Sequence, residues 1–101
     1  MSEINTERRP GTRAKTARPK LHRVILLNDD YTPREFVVSV LASIFRMTRA
    51  QAQGVMLTAH KRGVCVVGVF TRDVAETKAV QGTEMGRREG YPLTFTTAPE
   101  D

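Results

Sequence analysis

Asn28-Asp29-Asp30 sets two carboxylates beside an amide, directly after the apolar run Val24-Ile25-Leu26-Leu27. The plain reading is a turn, because these side chains bond readily to nearby backbone groups. Three sharper chemistries compete with it. A hard metal ion would accept the carboxylates but needs further oxygen or histidine ligands. Only His22 and His60 are available, and His22 falls inside the first strand run. A phospho-acceptor aspartate after an apolar strand is the arrangement of receiver domains, yet those need repeated β-α units and a longer chain. Here two successive helices follow the strand. The third chemistry is capture of a cationic group.

The cationic reading gains from Met56, Ala59 and His60, whose i, i+3, i+4 spacing puts them on one helical face. On such a face a lone histidine is more often structural, and a methionine is ordinarily core filler. Beside an acidic turn the same residues acquire another use. A neutral imidazole accepts a hydrogen bond from an ammonium, and a thioether makes an adaptable wall for an apolar ligand. An acidic, amide-lined rim above an apolar hole suits a charged amine attached to a hydrophobic side chain. Residue types alone leave the structural and binding readings both open. No nucleophile–base pair is visible, so no enzyme activity is expected.

For the turn and His60 to meet, the chain between them must double back, and its periodicity says how. Val24 to Leu27 reads as a mostly buried strand that stops at Asn28. Thr32 is expected to cap a helix, with Pro33 at its first position and Glu35 completing a capping box. Phe36, Val37, Val40, Leu41, Ile44 and Phe45 follow at helical spacing. Thr48 and Gln51 repeat the capping pattern for a second helix that carries Ala52, Val55, Met56 and Ala59 and ends near Gly63. Val64 to Phe70, rich in β-branched residues, predicts a second strand. Thr71 is expected to cap a third helix, with Asp73 in its first turn complementing the dipole. That helix runs through Val74, Ala79 and Val80, is weakened by Gly82 and Gly86, and stops before Gly90. Leu93 to Thr97 makes a last strand after Pro92. The order β-α-α-β-α-β predicts an α+β sandwich, a three-stranded antiparallel sheet packed on three helices.

A chain of 101 residues has room for one such domain. Its formal net charge of +5 is unevenly placed. Residues 1–20 hold six basic and two acidic groups, while the other 81 residues hold ten and nine. The basicity therefore belongs to a tail, and nucleic-acid binding through that tail is the alternative to test by its salt dependence. Residues 1–19, with Pro10, Gly11 and Pro19 and no hydrophobic periodicity, are expected to form a flexible extension. The core is expected over residues 20–98, with 99–101 a short tail. No apolar run approaches the roughly 20 residues that span a bilayer, and no apolar segment follows the arginines near the N-terminus as a secretory signal would require. The single Cys65 cannot close an internal disulfide. A cytoplasmic protein with neither metal nor cofactor is expected.

Several separated motifs match one family in order and spacing. VILLNDDYTPREFVVSVL (residues 24–41), Met56-Leu57, His60, Gly63, GVFTRDVAETK (Gly68 to Lys78) and Pro92-Leu93 closely resemble the ClpS adaptors, over residues 20–97. The resemblance implies a monomeric adaptor that binds N-degrons, proteins with a free N-terminal Phe, Leu, Tyr or Trp. It hands them to a ClpA-type AAA+ unfoldase coupled to the ClpP peptidase. Carried over by motif position, Asn28, Asp30 and His60 would hold the α-amino group, and Asp29 would add negative potential and order the loop. Thr32, Val37, Met56, Ala59 and Leu93 would line the side-chain pocket, with Arg34 at its mouth. Asp73, Glu76 and Lys78 would contact the unfoldase's N-terminal domain. Two positions depart from the family pattern. Arg34 stands where methionine is usual, and Ala59 stands where a larger valine is common, which should widen the pocket.

Overall fold

The computed structural model describes residues 19–100. The basic extension expected over residues 1–19 lies outside them except for Pro19, as does Asp101. Strand β1 (Leu21–Leu27) is followed by helices α1 (Arg34–Phe45) and α2 (Arg49–Arg62), strand β2 (Val64–Thr71), helix α3 (Arg72–Arg88) and strand β3 (Thr94–Pro99). The sheet is antiparallel throughout, in the order β2-β1-β3. This is the expected α+β arrangement, and it differs from the parallel sheet that repeated β-α units of a receiver would build.

β1 takes the central position, so the acidic turn leaves from the middle of the sheet. Alternation along β1 drives Val24 and Leu26 into the core, where they are 0% and 2% exposed. Across the ladder Leu26 sits opposite Phe95 of β3 and Cys65 of β2. Val37, Val38, Val40 and Leu41 of α1 pack on this face with Ala52 and Ala59 of α2. Burying a side chain such as Leu41 contributes about 1.5–3 kcal/mol. Pairing continues to Pro99, opposite His22, and the Glu100 N–H donates to the Leu21 carbonyl at 2.8 Å. The ordered pairing thus passes the boundary expected at residue 98.

Three local expectations need adjusting. The helix α1 begins one residue later than expected, with Pro33 as its N-cap and no capping side chain. The Thr32 hydroxyl donates to the Asp29 carboxylate, a charge-assisted bond that holds Thr32 in the loop and outside the helix. Glu35 closes no capping box; it pairs with Arg49 at 2.7 Å on an exposed surface. Thr71 occupies the N-cap of α3 without a side-chain cap bond. By contrast, the capping box of α2 forms as expected: Gln51 N–H donates to Thr48 Oγ1 at 3.1 Å, and Thr48 N–H donates to Gln51 Oε1 at 2.9 Å.

Helix α3 packs through different residues from those its valines suggested. Val74 and Val80 are 43% and 61% exposed, whereas Ala75, Ala79, Gly82 and Gly86 face inward. The spacing of these small residues makes one helical stripe on which β3 closes tightly. A Cβ at Gly82 would lie 2.7 Å from two ring carbons of Phe95, and one at Gly86 would lie 2.7 Å from Leu93 Cβ. These glycines are therefore contact positions, not weak points.

Candidate functional site

A chain of backbone hydrogen bonds brings the turn to His60. Gly63 ends α2 in the left-handed region at φ 91°, which glycine adopts without a Cβ penalty. Its N–H donates to the Ala59 carbonyl at 2.8 Å, and its own carbonyl accepts from Asn28 N–H at 2.9 Å. The last turn of α2, with Ala59 and His60, is thereby tied to the exit of β1. Leu93 arrives from the other side, just before β3, seated against Gly86.

Within the turn the two aspartates divide their work. Asp29 Oδ1 accepts from the Tyr31 N–H at 2.8 Å and the Thr32 N–H at 2.7 Å. Its Oδ2 accepts from the Thr32 hydroxyl at 2.9 Å. Thr32 is itself 9% exposed, so these bonds are partly shielded from water. The Asp29 carboxylate is thus built into the loop. Asp30 is exposed and makes no hydrogen bond among the described residues, leaving its oxygens directed to solvent or to a ligand.

Behind this rim lies a cavity of about 330 Å³ lined by the turn, Thr32, Arg34, Val37, Met56, Ala59, His60 and Leu93. It is at the small end of the range for ligand pockets, roughly 300–1,000 Å³. Every residue expected for amino-group binding and for the side-chain pocket borders this one space. Leu26, Leu27, Tyr31 and Pro33 border it too and were not singled out from sequence. Their signal was adjacency alone: they flank the acidic turn on either side. Val37, Ala59 and Leu93 are nearly fully buried and make the apolar wall, while Met56 is half-buried.

His60 has a defined role at the mouth. Its Nε2 lies 3.2 Å from an Arg34 Nη2. A guanidinium has donors only, so in a hydrogen bond between the two Nε2 is the acceptor, which the Nδ1–H tautomer of the ring provides. The space joins acceptors to an apolar hollow: it can hold an ammonium at the rim and a hydrophobic group below. Among the described residues no three or more His, Cys, Asp or Glu side chains cluster as metal ligands, and no helix is long and apolar enough to cross a membrane.

The other expected contact residues lie apart, on α3. Asp73 and Glu76 are exposed, with Glu76 in an ion pair to Arg72 at 3.2 Å. Lys78 is half-buried and committed internally. Its Nζ donates to the Ile44 carbonyl at 2.8 Å, in the last turn of α1, and stands 5.8 and 5.6 Å from the Phe45 and Phe70 ring centroids. Cys65 borders none of this; burial pushes its thiol above the usual value, against a lowering influence from Arg62.

Comparison with known proteins follows the same lines. Residues 17–96 match the family model described as "ATP-dependent Clp protease adaptor protein ClpS". The ATP-dependent Clp protease adapter protein ClpS 1 of Rhodopseudomonas palustris is 67% identical, over 96% of this chain and 98% of that protein. The protein of the same name from Bradyrhizobium diazoefficiens is 61% identical over the whole of both chains, 100% of each. A solved structure, Agrobacterium tumefaciens ClpS2 bound to L-phenylalaninamide, superposes with a TM-score of 0.81 at 58% identity, covering 82% of this chain and 100% of that one.

Proposed function

This chain belongs to the ClpS family of Clp protease adaptors, and we propose that its pocket takes the free N-terminal Phe, Leu, Tyr or Trp of N-degron substrates. As a member of that family it is a substrate adaptor and not an enzyme. The observation that carries the ligand class is the shared cavity, in which Asn28, Asp30 and His60 stand at the rim above Val37, Met56, Ala59 and Leu93. The phenylalaninamide held by the Agrobacterium protein has the same two parts, an amine and an aromatic side chain.

In this reading Asn28, Asp30 and His60 accept hydrogen bonds from the α-ammonium. Asp29 holds the loop that presents them, and the first side chain fills the space beside Met56. Charge-assisted hydrogen bonds contribute about 1.5–3 kcal/mol each, and burying a Leu or Phe side chain adds about 1.5–3 kcal/mol. Neither part alone overcomes the cost of association. An acetylated or internal Phe leaves Asp30 without its cation, and an N-terminal Ala leaves the hollow unfilled. Delivery of the bound substrate to a ClpA-type unfoldase and ClpP in the cytoplasm, by a monomer, completes the proposal. Asp73, Glu76 and Lys78 on α3 are the residues for that contact, of which Asp73 and Glu76 are exposed and Lys78 is half-buried.

The test is a titration of the protein with fluorescent peptides. A peptide beginning with free Phe should bind, while its N-acetylated and Ala-initial forms should not. Asp30→Ala and His60→Ala should each weaken binding about tenfold to a hundredfold, at 1.4 kcal/mol per decade, with unchanged unfolding curves. Normal binding by both variants would show that the amine is held elsewhere.

A further inference from the structure

Among the described residues that border the cavity, Arg34 alone carries a guanidinium, on an exposed side chain. Among the described residues its polar partner is the neutral imidazole of His60, at 3.2 Å, and no carboxylate lies within ion-pairing distance of it. Its donor fork is matched geometrically to a carboxylate, and the partner it has uses one of five N–H groups. Two consequences follow when an ammonium enters the rim. His60 Nε2 is wanted by the incoming cation, so the guanidinium loses its acceptor. The ammonium also repels it by like charge. Both move the head of Arg34 away from the amine, outward along the path by which the rest of a bound peptide leaves, while its methylenes stay over the apolar wall.

We infer that Arg34 reads the second residue of the bound peptide, favouring Asp or Glu there and disfavouring Lys or Arg. The inference rests on the N-degron reading of the pocket. The charges around the mouth support it. Asp29 and Asp30 give the rim two negative charges, which without Arg34 would turn an acidic second residue away. Arg34 offsets one of them, and the bound ammonium offsets the other. A carboxylate arriving next then meets a freed guanidinium with no competing partner. A lysine there meets that guanidinium as a like charge, with both rim carboxylates already offset. The contact is exposed, so its strength is that of a surface ion pair, and salt screens it.

The experiment measures the affinity of the full chain for three peptides that begin with free Phe and differ only in the second residue: Asp, Ala or Lys. The same set is run on Arg34→Gln, which keeps a polar N–H donor on a shorter side chain but not the charge, and on Arg34→Lys, which keeps the charge and should keep the direction of the preference. The wild-type chain should bind Phe-Asp over Phe-Lys by about tenfold at low salt, from two effects of roughly threefold each, with Phe-Ala between. The ratio should shrink in 0.5 M salt, on the order of a 4 Å screening length. In Arg34→Gln it should vanish or invert. Equal wild-type affinities for the three peptides would overturn the inference and leave the N-degron reading standing. A preference for Asp that survives in Arg34→Gln would assign the effect to another cation and also overturn it. Failure of all three peptides to bind would remove the N-degron reading itself.

Discussion

Asp29 offers the sharpest separation of scaffold from ligand contact. Replacing it with Ala removes the acceptor for two backbone N–H groups and one hydroxyl, at 2.8, 2.7 and 2.9 Å. Water can replace the exposed Tyr31 bond. The two Thr32 bonds belong to a residue that is 9% exposed, and a shielded donor left unpaired costs about 1–3 kcal/mol. The closed loop should therefore lose about 2 kcal/mol. Part of this appears as loop opening and not as global unfolding, so the urea midpoint should fall modestly. Binding weakens in proportion to the fraction of closed loop remaining, up to about thirtyfold. Asp29→Asn should be far milder. Its amide oxygen still accepts from both N–H groups, and the Thr32 hydroxyl can rotate to accept from the new NH₂. About threefold weaker binding is expected for Asn. Anisotropy titration with a Phe-initial peptide, paired with urea unfolding, reads both effects. If Asn and Ala weaken binding equally while stability is unchanged, Asp29 acts by charge on the ligand and its scaffold role is refuted.

Two further substitutions probe how the site is held. Gly82→Ala should destabilise the protein by about 1–2 kcal/mol: overpacking against Phe95 costs roughly 1–3 kcal/mol, and alanine returns about 0.5–1 kcal/mol of helix preference. A raised urea midpoint would show that Phe95 moves aside freely. Lys78→Met keeps the aliphatic stem but loses the bond to the Ile44 carbonyl and the charge near Phe45 and Phe70. A stability loss of about 1–2 kcal/mol is expected from the hydrogen bond and the cation–π contribution. A Lys78→Met protein of full stability that nonetheless fails in delivery would assign Lys78 to the unfoldase contact instead.

The sequence made the elements of this fold legible because each boundary has its own chemistry: the Thr48–Gln51 box, the left-handed Gly63, the stop at Asn28. What it hid lies where two elements meet. Val74, Ala79 and Val80 marked α3 in the sequence, and of these Ala79 packs inward while both valines stay exposed. The helix instead approaches β3 so closely that only Ala75, Ala79, Gly82 and Gly86 fit, and that closeness depends on where Phe95 and Leu93 lie. Thr32 looked like a cap because its spacing to Glu35 fits a capping box. Asp29, three residues earlier, draws both the N–H and the hydroxyl of Thr32 into the loop, a contact that capping-box spacing does not register. Lys78 read as a surface charge because Ile44, its partner, is far off in the chain and becomes an open carbonyl only where α1 ends.

The same limit applies most sharply to Asp29 and Asp30, neighbours of one residue type with opposite tasks. Residue type and spacing treat them alike, and only the family resemblance gave them different roles. The folded turn satisfies the first with three internal donors and leaves the second with none among the described residues. A fully bonded carboxylate has little left to offer a ligand, since an ammonium would have to displace bonds already made. An unbonded one gives up only water, and regains it as a charge-assisted bond. On the proposed N-degron reading, selectivity for a free amine follows from the way the loop distributes its donors: Asp29 absorbs those of Tyr31 and Thr32, which leaves Asp30 to the incoming cation. Donor distribution of this kind is a property of backbone direction, and the Asn28–Gly63 bond sets the folded turn beside the end of α2.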